Sequence, residues 1–104
     1  MKVKIFNEEL ERFIYSLEKA TIAKILRTID FLELFGNKLN LPHSKKIASG
    51  VFELRIRGVQ EVRILYIFHK NEAVLLHGFL KKTDKIPLKE LKLAVAKLQQ
   101  LLVS

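Results

Sequence analysis

The chain has 104 residues, 49% of them hydrophobic, enough for one domain with a single core. It has no cysteine, which excludes disulfides and thiolate metal sites, and no apolar run of about 18 residues that would cross a membrane. Nineteen Lys and Arg against eleven Asp and Glu give +8; residues 1–37 balance at six and six, so the excess lies in residues 38–104, with thirteen and five. A surplus confined to one region favours polyanionic partners, nucleic acid foremost, whereas general solubility requires no such segregation. The acids in MKVKIFNEELERF stand where a signal peptide has its apolar stretch, so a soluble cytoplasmic protein is expected.

In chain order, KVKIF alternates polar and apolar residues and predicts a short first strand. Asn7 is placed to cap a helix, with Glu8 and Glu9 in the first turn where the helix dipole favours them. Leu10, Phe13, Ile14 and Leu17 share one helical face, and Ile22, Ile25, Leu26, Ile29 and Leu32 repeat the pattern to about Phe35. Gly36 and Asn37 can then end the second helix of a hairpin. Residues 36–50, GNKLNLPHSKKIASG, show no clear period and read as a loop. Three strand patterns follow, VFELRIR, EVRILYIFH and AVLLHGFLKK, joined so closely that they predict an antiparallel meander. Pro87 suits the first turn of a helix, and Leu88, Leu91, Val95, Leu98 and Leu102 form a stripe along it. The expected fold is α+β, in the order β-α-α-β-β-β-α, as one domain over residues 1–104.

Strand alternation organises the candidate chemistry. With Phe52, Leu54 and Ile56 turned to the helices, Arg55 and Arg57 share the opposite face with Glu53, and Arg63 can join them from the next strand. Lys81 and Lys82 end the last strand, and Lys45 and Lys46 lie in the loop before the sheet. These cations are expected to converge on one open sheet face able to hold a phosphodiester, the arginines as planar forks and the lysines as mobile point charges. Were RNA cut there, fixed cations would stabilise the charge that builds on phosphorus as the ribose 2′-OH attacks. A base and an acid are still required, and a lysine among cationic neighbours can serve as either. Against this stands an ordinary ladder, with Arg55 paired to Glu53 or Glu61 across strands. Arg63, a charge in a half-buried strand, needs a partner in either case. His77 alternates onto the face of Lys81 and reads as a strand histidine or a site residue; Tyr66 reads as core. The three histidines lack metal-ligand spacing, and no Gly-rich phosphate loop, Ser/His/Asp signature or carboxylate cluster is present.

The segments LPHSKKI at 41–47, VFELRIRG at 51–58, VRILYIFH at 62–69 and LLHGFLKKTDKIPLKEL at 75–91 together resemble the RelE/ParE toxin superfamily, within it the HigB-like phage-derived branch. The resemblance implies a small twisted antiparallel sheet with the helical hairpin on one face. It also implies a type II toxin that cuts messenger RNA in the ribosome without metal or other cofactor, restrained by an antitoxin that is commonly a helix-turn-helix protein. Carried over by position, Arg55, Arg63, Lys81 and Lys82 are expected as catalytic residues and Lys45, Lys46 and Arg57 as substrate-binding ones; His77 joins the substrate-binding set from its place on the strand, not from the resemblance. Two departures mark the chain: no tyrosine stands in TDKIPLKEL, and the His-Asp-Tyr-His cluster of some HigB toxins is missing. A ParE-like inhibitor of DNA gyrase, or a non-catalytic RNA- or ribosome-binding member, shares the fold.

Overall fold

The computed structural model describes residues 1–48 and 50–103. Its elements are β1 (Lys2–Ile5), α1 (Glu8–Tyr15), α2 (Lys19–Phe35), β2 (Ser44–Ala48), β3 (Val51–Ile56), β4 (Val62–His69), β5 (Glu72–Leu80) and α3 (Leu88–Val103), with a 3₁₀ turn at Gly36–Lys38. The α+β class and the predicted elements hold, with one strand added. The five strands form one sheet in the order β1-β5-β4-β3-β2. No helix among the described residues is long and apolar enough to cross a membrane.

Local signals act as their chemistry dictates. The Asn7 side chain accepts the Leu10 N–H at 3.0 Å and starts α1. Gly36, at φ 56°, ends α2 in the left-handed region. Lys70 and Asn71, with φ 50° and 63°, make the tight turn between β4 and β5.

Three expectations are corrected. Residues 44–48 are not loop but the edge strand β2, antiparallel to β3 through Ser44↔Leu54, Lys45↔Glu53 and Lys46↔Phe52. Only Ser44 of β2 is buried, so its sequence lacks the alternation by which strands are recognised. The sheet is mixed, because β1 runs parallel to β5, a pairing made only after the whole chain has returned. The stripe of α3 is also displaced: Leu91, Ala94, Leu98 and Leu101 pack inward, while Leu88 and Leu102 are 63% and 60% exposed.

The sheet is covered on both faces. Leu10, Ile14, Ile25 and Leu32 of α1 and α2 pack on Leu54, Ile56, Ile64, Tyr66 and Leu75. Burying each such side chain contributes roughly 1.5–3 kcal/mol. The Tyr66 hydroxyl keeps its polarity satisfied in this core by a hydrogen bond with Ser44 of β2, and burial raises its pKa. On the other face, α3 sits over Leu65, Ile67, Val74, Leu76 and Phe79. The face expected to be open is therefore a second core for most of its length, and only the part beyond the start of α3 remains accessible.

Candidate nucleic-acid interface

That accessible part is a cleft of about 400 Å³ between β2, β3, the connection from β5 and the first turns of α3. Among the described residues Lys45, Lys46, Arg55, Lys81 and Lys85 line it against two carboxylates, Glu53 and Asp84; Ile47, Ile86 and Leu91 supply its apolar surface. Adding β2 to the sheet is what brings Lys45 and Lys46 opposite Glu53 and Phe52 and beside Arg55. Lysines on an exposed edge also discourage pairing with another chain, a structural use that coexists with binding.

Beneath the cleft lies a buried charge cluster. Glu53, 6% exposed, is shared by two guanidiniums: its Oε1 is 3.4 Å from Arg55 Nε and 3.7 Å from Arg63 Nε. Arg55 and Arg63 face one another directly across β3 and β4, so the single carboxylate between them relieves their repulsion. Arg63 Nη2 lies 3.8 Å from Glu61, and Nη1 donates to the Val62 carbonyl at 3.1 Å. Burial lowers the Arg63 pKa, opposed by Glu53 and Glu61 and reinforced by Arg55 and Arg57. Three buried N–H groups, Arg55 Nε and Arg63 Nε and Nη2, make no hydrogen bond despite the nearby carboxylates. The assembly places two guanidiniums on one carboxylate beneath a basic cleft, and Arg55 alone of the two reaches the cleft, a composition suited to an anion.

The expected site residues divide. Lys45, Lys46, Arg55 and Lys81 converge on the cleft. Lys82 lines a smaller adjoining cavity with Glu61, Lys81, Thr83 and Asp84. Arg63 is fully buried and reaches none of these surfaces, so its geometry is that of a group that positions Glu53 and Arg55. Arg57 lines not the cleft but a groove against α2. His77 is on the same sheet face but under α3: its Nε2 lies 3.3 Å from Glu90, while Lys97 Nζ donates to Nδ1 at 3.1 Å and also reaches Glu9 at 3.3 Å. Accepting at Nδ1 and donating from Nε2 makes His77 a neutral imidazole, and burial lowers its pKa, with Glu90 opposing. It belongs to the attachment of α3, not to the cleft. Lys85 was visible in the lysine cluster KKTDK, but that it joins the cleft depends on how the β5–α3 connection folds back, for which no local signal exists.

A family model for phage-derived Gp49-like proteins (DUF891) matches residues 12–99. The chain belongs to the Gp49-like family. This is a RelE-like toxin family of toxin–antitoxin systems, in agreement with the superfamily resemblance of the four sequence segments. The match runs from the middle of α1 to near the end of α3, so the Gp49-like domain contains every lining residue of the cleft and its buried charge cluster. No curated protein matches the sequence.

Proposed function

We propose that this Gp49-like protein is the toxin of a type II toxin–antitoxin system, of the HigB-like kind. In this reading it cuts messenger RNA on the ribosome, without a cofactor, and is held inactive by an antitoxin partner. The observation that carries the reading is the cleft itself, in which Lys45, Lys46, Lys81 and Lys85 gather about Arg55, held from beneath by the carboxylate it shares with buried Arg63.

In the proposed reaction the RNA backbone enters the cleft and the scissile phosphate is held by Arg55. The 2′-oxygen bonds to phosphorus as the bond from phosphorus to O5′ breaks, leaving a 2′,3′-cyclic phosphate and a 5′-hydroxyl. One proton leaves the 2′-OH and one arrives at O5′; Lys81 and Lys85 are assigned to these transfers, since they line the cleft and no histidine or tyrosine does. Arg55 supports the additional charge on the phosphoryl oxygens in the transition state. Arg63 acts at one remove, by holding Glu53 and thereby the direction of Arg55.

The reading is tested by inducing the protein alone in a bacterial host and mapping messenger 5′ ends within minutes. New ends inside translated frames, lost in a folded R55Q/K81Q/K85Q variant, are expected. Growth arrest with intact messages would replace the reading with a gyrase inhibitor of the ParE kind, and no arrest with a non-catalytic binding domain.

A further inference from the structure

A second concave surface lies on the other side of Arg55. The pairing of β2 with β3 begins at Ser44↔Leu54, so the edge of β3 beyond Leu54 has no strand beside it. The His43 carbonyl accepts the Arg55 N–H at 2.8 Å, and Lys24 Nζ of α2 donates to the Arg57 carbonyl at 2.8 Å. Between this edge and α2 runs a groove of about 440 Å³. Its walls have two characters. Phe31 and His43 form an aromatic wall, their ring centroids 5.0 Å apart at 53°. Lys24, Arg27 and Arg57 supply charge, and among the described residues none of them is paired with a carboxylate. Among the described residues no acidic side chain lines the groove.

Arg55 lines both this groove and the lysine cleft, so the two concavities share one guanidinium. We propose that the groove is a nucleotide subsite, in which one base of single-stranded RNA lies against Phe31 and His43 while Arg27 and Arg57 hold its flanking phosphates. The strand would continue past Arg55 into the cleft. The inference rests on the ribonuclease reading and extends it, by assigning recognition of a neighbouring nucleotide to residues of α2 and the β2 entry. An aromatic surface flanked by arginines suits a base with its backbone, because every base has a face to stack and every nucleotide an anion to pair. Separately, an acidic peptide would find the charges but leave the aromatic wall without a specific partner.

Cleavage in a purified translation system with a defined messenger tests this. KM and kcat are measured for the wild type, Phe31→Leu, and Arg27→Gln with Arg57→Gln, each checked for fold by circular dichroism. The nucleotides flanking the cut are replaced in turn by an abasic residue. Phe31→Leu is expected to raise KM about tenfold on the intact messenger, with kcat retained. That defect should vanish at one abasic position, because the base it served is gone. The double arginine variant should raise KM on both messengers, since the phosphates remain. Its two residues are exposed, so this readout stands even where Phe31→Leu fails to fold. Unchanged KM in the double arginine variant, with wild-type cleavage intact, would overturn the inference alone and leave the groove to a protein partner. A Phe31→Leu defect that persists at every abasic position would likewise overturn the stacking assignment. No cleavage by the wild type would overturn the ribonuclease reading and this inference together.

Discussion

Two groups of charged side chains meet the face of the sheet under α3, and they are built differently. At one end, Glu9, Lys97, His77 and Glu90 form a closed chain across α1, α3 and β5, with both nitrogens of His77 engaged. At the other, Glu53 serves two arginines and three buried N–H groups have no hydrogen-bond partner. The first group lies beneath the helix, and the second underlies the cleft near its start. Under the helix the polar groups are satisfied within the protein; near its start Arg63 stays buried on Glu53 while Arg55 reaches the cleft, where a ligand can meet it. The comparison separates charges that fasten the fold from charges that can bind.

The largest expected effect comes from Glu53→Ala. It leaves Arg55 and Arg63 facing each other without their shared counter-ion, and should cost about 3–5 kcal/mol in urea denaturation. Adding Arg63→Met should recover much of that loss; a neutral single variant would break the view of the floor as a charge assembly. Next is Arg55→Gln, expected to lower messenger cleavage about a hundredfold while the protein stays folded, because Glu53 keeps Arg63 as a partner. An equal loss from His77→Gln in a folded protein would erase the distinction between the two groups.

On the opposite face, packing rather than charge is decisive. A Cβ at Gly78 would come within 2.9 Å of Phe13 Cε2 and 3.1 Å of Leu10 Cδ1. Gly78→Ala should therefore cost about 1–3 kcal/mol, measured by thermal or urea unfolding, with cleavage per folded molecule retained.

The smallest effect is a pH dependence. His77 is held neutral with its pKa lowered by burial, so the unfolded chain binds the proton more readily than the folded one. Its contribution to stability is complete above the unfolded value of about 6.5 and is lost as pH falls from there through the lowered folded value. Urea midpoints should fall from pH 7.5 to pH 5 in the wild type, and the fall should shrink in His77→Gln. An undiminished fall in that variant would assign the acid sensitivity to other groups.

Much of the fold was legible because its signals are local. Asn7 before an amphipathic run, Gly36 after one, and alternating apolar residues in β3 report periodicity and caps, which neighbouring residues determine by themselves. Edge strand β2 was not legible, since SKKIA becomes a strand by pairing with β3 rather than by burying alternate side chains. The α3 seam was displaced for a related reason: Leu88 and Leu102 fit a helical stripe, but the sheet accepts Ala94 and Leu101 instead. In the candidate site, alternation correctly put Glu53, Arg55, Arg63 and His77 on one face of the sheet. It carried no information on which of them a helix would cover.

By itself, then, the sequence determined the α+β class, the helical hairpin, the meander and the regional excess of positive charge, since composition and short-range spacing suffice for these. Alternation anticipated that Lys45, Lys46, Arg55 and Lys81 converge; only the tertiary structure decided that Arg63 and His77 are buried, that Arg57 leaves the cleft for the groove, and that the cleft closes with Lys85. Those outcomes depend on where β2 docks and where α3 begins its cover. Such placements are long-range, and no window of neighbouring residues encodes them.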